Sequence, residues 1–242
     1  MALAARVVAR SETLVIYWRE PVPPHNEAIA MPCVPDSDSN RALAAQLLQR
    51  GDVVAYPTDT LYGLGASIFN EAAVRKVFAV KQRDATQGLP ILVASVAQLG
   101  LVAVDIPPEA LRLAEQFWPG SLTLVLRRNP AVPLIVSGGD TVAVRVPAHP
   151  TPRALVNGGR APITGTSANL HGGPQPTTAQ EVERQLGNSI PLILDGGPCV
   201  QKVPSTILDV TTMPARVVRL GAIGVDQLRM VCDVAGSARG GT

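Results

Sequence analysis

The chain has 242 residues, 46% of them hydrophobic and 17% charged, with a net charge of +2. That much apolar material buries a sizeable core and excludes a disordered chain, while the small net charge excludes nucleic-acid or membrane binding driven by charge alone. No uninterrupted apolar run approaches the roughly 20 residues needed to cross a bilayer, so no membrane partner is expected. Only 3% of residues are aromatic, so the core rests on Val, Leu, Ile and Ala, which suits buried strands covered by helices. Cysteines at 33, 199 and 232 form no CxxC pair and no metal-ligand spacing with His25, His149 or His171. That pattern predicts no protein-held metal and fits a reducing compartment, the cytoplasm.

In chain order, residues 1–38 read as an extension, because "REPVPPHNEAIAMPCVPDSDSN" is rich in proline and polar residues. "NRALAAQLLQRG" predicts a helix capped by Ser39 or Asn40, with Gly51 just past its end. Val53–Tyr56 is a strand, and "NEAAVRKVFAVK" a second helix capped by Asn70. "PILVA" predicts a short buried strand, and "PPEALRLAEQFWPG" a helix with prolines at its start. "SLTLVLRR" and "TVAVRVP" alternate at period two, as half-buried strands do. Further along, "TPRALVNGG" and "TAQEVERQLG" read as helices around the strand-and-turn "APITGTSAN". "PLILDGG", "STILDVT" and "ARVVRLG" are strands, "GVDQLRMVC" is the last helix, and 233–242 reads as a flexible tail. One domain over 39–232 follows, with strands and helices interleaved and no internal repeat.

The commonest nucleotide and hydrolase motifs are absent: no GxxxxGK[ST], no GxGxxG opening a helix, no GxSxG and no HExxH. Four features carry chemistry instead. "PTDT" places Thr58, Asp59 and Thr60 at a strand end, where open α/β sheets bind ligands; turn chemistry alone favours a local backbone cap. Lys81 and Arg83 of "KQR" stand at a helix end, which suits both the helix dipole and a phosphate. In "DTVAVRVP", Thr141, Ala143 and Arg145 share one strand face. A charged arginine on that apolar face needs an anionic partner, from the protein or a ligand. "TGTSANLHGG" clusters Thr164, Thr166, Ser167 and Asn169 at another strand end, beside glycines that allow close backbone approach.

Taken together, "YPTDTLYGLGA", "KQR", "WPGSLTLVL", "DTVAVRVPAHP", "TSANLHGG", "LDGG", "PSTILDV" and "VVRLGAI" resemble the YrdC family of threonylcarbamoyl-AMP synthases over about residues 39–230. The resemblance implies a twisted, open, mixed α/β sheet with flanking helices and a large concave basic cavity. It implies a nucleotidyltransferase that makes threonylcarbamoyl-AMP and pyrophosphate from L-threonine, bicarbonate (as carbon dioxide) and ATP. Magnesium would arrive on the ATP. The adenylate would pass to partner proteins that modify adenosine next to the anticodon of tRNA. By the same resemblance, Thr60, Arg145, Gly165 and Ser205 match threonine-contacting positions. Lys81, Arg83, Thr141, Ser167, Asn169 and Arg219 match the ATP side, with Lys81 and Arg83 facing the polyphosphate as the catalytic pair. The chain matches the single-domain form.

Two departures stand out. The run after Arg83, "DATQGLPILVAS", is two residues longer before its proline than in many members. It lacks an asparagine that touches ATP in the family, and Ala94 stands where a threonine-contacting histidine is usual; Gln87 and Ser95 are candidate substitutes. Gln175 also replaces a serine. A binding module for RNA or tRNA is the alternative of a different class, disfavoured by the small net charge and by the lack of a basic-aromatic stripe.

Overall fold

The computed structural model describes residues 33–85 and 87–235, and among these it holds twelve strands and seven α-helices. The strands form two mixed sheets. The first runs in the order β1 (Cys33–Pro35), β10 (Leu192–Asp195), β2 (Val54–Tyr56), β3 (Gly63–Gly65) and β9 (Thr166–Ser167). The second runs β12 (Arg216–Arg219), β11 (Thr206–Asp209), β6 (Leu122–Arg128), β7 (Thr141–Arg145), β4 (Ile91–Leu92) and β8 (Ile163–Thr164), with β5 (Ala103–Val104) beside β6. β1, β10 and β2 pair in parallel, while β3 turns back antiparallel on β2. β11 and β6 are also parallel, and β6 and β7 antiparallel. β8 and β9 are almost one run, interrupted at Gly165, where the chain passes from the second sheet to the first.

Burial on both faces explains the apolar strands. In the first sheet Val54, Tyr56, Leu192 and Leu194 point to one side. There they pack on Ala44 and Leu48 of α1 (Asp38–Gln49) and on Leu155 and Val156 of α5 (Pro150–Gly159). Val53, Ala55 and Ile193 point the other way into the main core. α2 (Glu71–Lys81) starts at Asn70, whose side chain accepts from the Ala73 amide, and it buries Ala73, Val74, Val77 and Phe78. Gln82 ends it in the left-handed region, leaving Lys81 and Arg83 on either side of the stop. Among the described residues no helix is long and apolar enough to cross a membrane.

The domain begins earlier than the sequence suggests. Cys33–Pro35, read as part of the extension, pair with β10 at the edge of the first sheet, where a proline costs no ladder hydrogen bond. Ser37, rather than Ser39 or Asn40, caps α1, its hydroxyl accepting from the Asn40 amide. At the other end the Ala215 amide donates to Asp233 and the Ala235 amide to Ala215, so 233–235 are tied to the sheet rather than tail. The rest of the expected extension and tail, 1–32 and 236–242, lies outside the described residues.

Candidate functional site

A cavity of about 410 Å³ lies between the two sheets. Strand alternation builds its floor: Thr123 and Val125 of β6, Thr141, Ala143 and Arg145 of β7, and Ile207 of β11 all reach it. Its walls are the turn after β2, the β8–β9 crossing at Gly165, and Arg219 from the edge strand β12. Three arginines line it (Arg83, Arg145 and Arg219), and among the described residues no aspartate or glutamate does. Such a cavity favours an anion bearing several acceptors.

Arg145 already has a protein partner. Its Nη2 lies 2.6 Å from Asp59 Oδ2, its Nη1 donates to Thr60 Oγ1 at 2.9 Å, and its Nε to the Gly120 carbonyl at 2.7 Å. Burial lowers the guanidinium's pKa and the Asp59 carboxylate opposes that shift. With five N–H groups in its fork, Arg145 keeps two for a ligand. Asp59 is held in turn: Ser121 Oγ also lies 3.1 Å from Oδ2, and the Ala148 amide donates to Oδ1 at 3.1 Å. Thr58 meets the local turn reading. Its Oγ1 accepts from the amides of Thr60 and Leu61 and donates to the Leu61 carbonyl.

Arg219 leans on Ser205, donating to its carbonyl at 2.8 Å and its hydroxyl at 3.2 Å, and that hydroxyl sits 2.8 Å from Thr123 Oγ1. Burial and then the neighbouring Arg145 lower the pKa of Arg219. Arg83 donates through Nη2 to the carbonyls of Gly88 and Gln87, but its buried Nε has no hydrogen-bond partner among the described residues. A buried N–H left unmatched beside a cavity is a donor suited to a ligand oxygen. Burial lowers this arginine's pKa as well.

Lys81 and Asn169 do not face the cavity. Lys81 is 3% exposed, and its ammonium donates to the carbonyls of Ser167 and Asn169, at 2.7 Å to the latter. Burial, and then Arg83, push its pKa down to about 8. Asn169 gives both amide hydrogens to Leu170 and Gly173 and accepts from the Ser167 hydroxyl. These two side chains hold the turn that presents Ser167. The remaining eight residues matched to the family, Thr60, Arg83, Thr141, Arg145, Gly165, Ser167, Ser205 and Arg219, all line the cavity.

Among the described residues neither Gln87 nor Ser95 lines it, whereas Gln175 does. The longer run after Arg83 instead brings Gly88 and Leu89 to the wall, and its carbonyls hold Arg83. Two further residues gain weight from the structure. A buried arginine on an apolar strand demands an acid nearby, and Asp59 supplies it. Thr123 is the one hydroxyl in "LTLVL", and a polar residue on an otherwise apolar strand was the available signal.

Fold and cavity together define an α/β protein that offers arginines and hydroxyls, with no carboxylate among them, to a small polyanionic ligand. The chain belongs to the Sua5, YciO and YrdC family, described as "Telomere recombination", which matches residues 46–221. The threonylcarbamoyl-AMP synthase of Pyrococcus abyssi is 43% identical over 190 residues, covering 78% of this chain and 56% of the relative. That of Vibrio parahaemolyticus is 40% identical over 169 residues, covering 68% of this chain and 91% of the relative. Among solved structures, Pyrococcus abyssi Sua5 complexed with L-threonine superposes with a TM-score of 0.80 at 40% identity, covering 82% of this chain and 60% of that one. The chain thus spans little more than half the length of the archaeal relative.

Proposed function

We propose that this chain is a threonylcarbamoyl-AMP synthase, using L-threonine, bicarbonate and ATP. The observation that carries the reading is the cavity lined by Arg83, Arg145 and Arg219, with no aspartate or glutamate among the described residues that line it, in a fold whose relative Sua5 is complexed with L-threonine. The spare N–H pair of Arg145, beside Thr60, suits a carboxylate. Arg83, Arg219, Thr141 and Ser167 suit phosphate oxygens.

The chemistry asks for no enzyme nucleophile. Bicarbonate gives carbon dioxide and hydroxide, and the hydroxide takes a proton from the threonine ammonium to leave water. The free amine adds to the carbon dioxide and releases a second proton to solvent, giving a carbamate. A carbamate oxygen attacks the α-phosphorus of ATP, the bond to the bridging oxygen breaks, and pyrophosphate leaves. The protein's part is to hold two anions in line and to offset charge on the leaving group. Arg83 and Arg219 serve that end. Lys81 positions Ser167 instead of touching phosphate. Among the described residues no group of three or more His, Cys, Asp or Glu side chains could hold a metal. Magnesium would come on the polyphosphate, held by its oxygens and water. The adenylate would go to proteins that modify tRNA in the cytoplasm.

Pyrophosphate release measured with each substrate omitted in turn tests the reading. Release only when threonine, bicarbonate and ATP are all present is expected; release that ignores threonine or bicarbonate, or no release at all, overturns it.

A further inference from the structure

Asp59 lies behind the cavity wall and is 7% exposed, yet it meets four parts of the fold. Its carboxylate takes Arg145 Nη2, Ser121 Oγ and the Ala148 amide, and its backbone carbonyl takes the Gln201 amide. Ser121 Oγ is in close contact with Gln201 Oε1 as well. One hydroxyl proton cannot serve both acceptors. The count closes when the Gln201 amide is turned, so that its nitrogen donates to Ser121 and Ser121 donates to Asp59. The result is one directed chain, Gln201 to Ser121 to Asp59, with Arg145 donating from the other side. Arg145 is thereby fixed in one orientation, with a carboxylate opposing its charge. Arg83 and Arg219 lean on the carbonyls of Gly88 and Ser205 and on the Ser205 hydroxyl.

We infer that Asp59 is a positioning residue that sorts the two anions entering one cavity. It turns Arg145 into a rigid fork, its charge opposed by a carboxylate, suited to the monoanionic threonine carboxylate, and leaves Arg83 and Arg219, which lean on carbonyls, to the polyphosphate. A phosphate gains most from net positive charge, whereas a carboxylate is recognised by a planar pair of donors. Opposing the charge of one arginine while keeping its geometry therefore discriminates against phosphate at that place, which is specificity by weakening attraction for the wrong ligand.

The inference rests on the synthase reading, and two variants separate them. Asp59→Asn removes the charge and places a donor against either Arg145 or Ala148. Its KM for L-threonine should rise at least about tenfold, with kcat changed less than about threefold, and pyrophosphate should become competitive with threonine. Asp59→Glu keeps the charge and moves it. It should raise the threonine KM without making pyrophosphate competitive, and it serves alone if the asparagine variant does not fold. An active wild type with an unchanged threonine KM in the variants overturns the inference. So does an equal loss for threonine and ATP, or pyrophosphate competition that appears in the glutamate variant. A wild type that releases no pyrophosphate overturns the synthase reading itself.

Discussion

Arg83 and Lys81 stand two residues apart and do different work. Arg83 lines the cavity with a guanidinium held by the carbonyls of Gly88 and Gln87, so Arg83→Ala should leave a folded protein with adenylate formation down about 100-fold or more, the scale of losing one preorganised donor. Pyrophosphate release and a far-UV spectrum check both halves. Lys81 is a buried ammonium serving two carbonyls. Its folded pKa, near 8, lies below the ordinary lysine value of about 10.4. Between those values the unfolded chain binds the extra proton, so Lys81 lets stability rise with pH across that window. A neutral amine still has two N–H groups, enough for both bonds. Wild-type denaturation midpoints should therefore gain on those of Lys81→Met between pH 7 and 9.5, and parallel curves would refute this.

At the scale of elements, β3 shows what its glycines are for. A Cβ at Gly63 or Gly65 would come within 2.6 Å of the Tyr56 ring, which lies across both from the paired strand. Tyr56 Oη in turn donates to the Thr164 carbonyl at 2.7 Å, tying β2 to the end of β8. Gly65→Ala should destabilise the fold by about 1–3 kcal/mol through overpacking. Tyr56→Ala should relieve part of that cost in the double variant, which urea denaturation of the four proteins would measure as non-additivity. Helices with clear caps and strands with period two could be read from the sequence: Asn70 starts α2, and the 141, 143, 145 face reaches the cavity. β3 could not, because two glycines carry no hydrophobic period and their reason lies on another strand. The site divided the same way. Arginines on apolar strands announce themselves, whereas Asp59 needs its partner 86 positions away to be understood, and Lys81 looks like a ligand until its two carbonyls are seen.

For the whole molecule, Asp36 joins the first strand to two helices. Its carboxylate takes Arg41 Nε at 2.7 Å and Nη2 at 2.9 Å from α1, and the Thr151 hydroxyl from α5. Burial alone would raise its pKa, but the hydrogen bonds from Arg41 and Thr151 outweigh that and hold it below the ordinary value. Its contribution is complete above the unfolded aspartate value of about 3.9 and is lost as pH falls through the lowered folded value. Asp36→Asn should therefore be less stable than wild type at neutral pH, with the gap closing in acid, as thermal melts at pH 7 and pH 3 would report. The acid-free cavity sets a second whole-molecule property. Arg219 feels Arg145 as a like charge, and both line the cavity. A polyanion lodged there relieves that repulsion, so it acts on the folding equilibrium as well as on chemistry. At 100 times its dissociation constant such a ligand adds about 2.7 kcal/mol to the native state. Pyrophosphate alone, with no reaction to perform, should raise the melting temperature, and added salt should erase the gain.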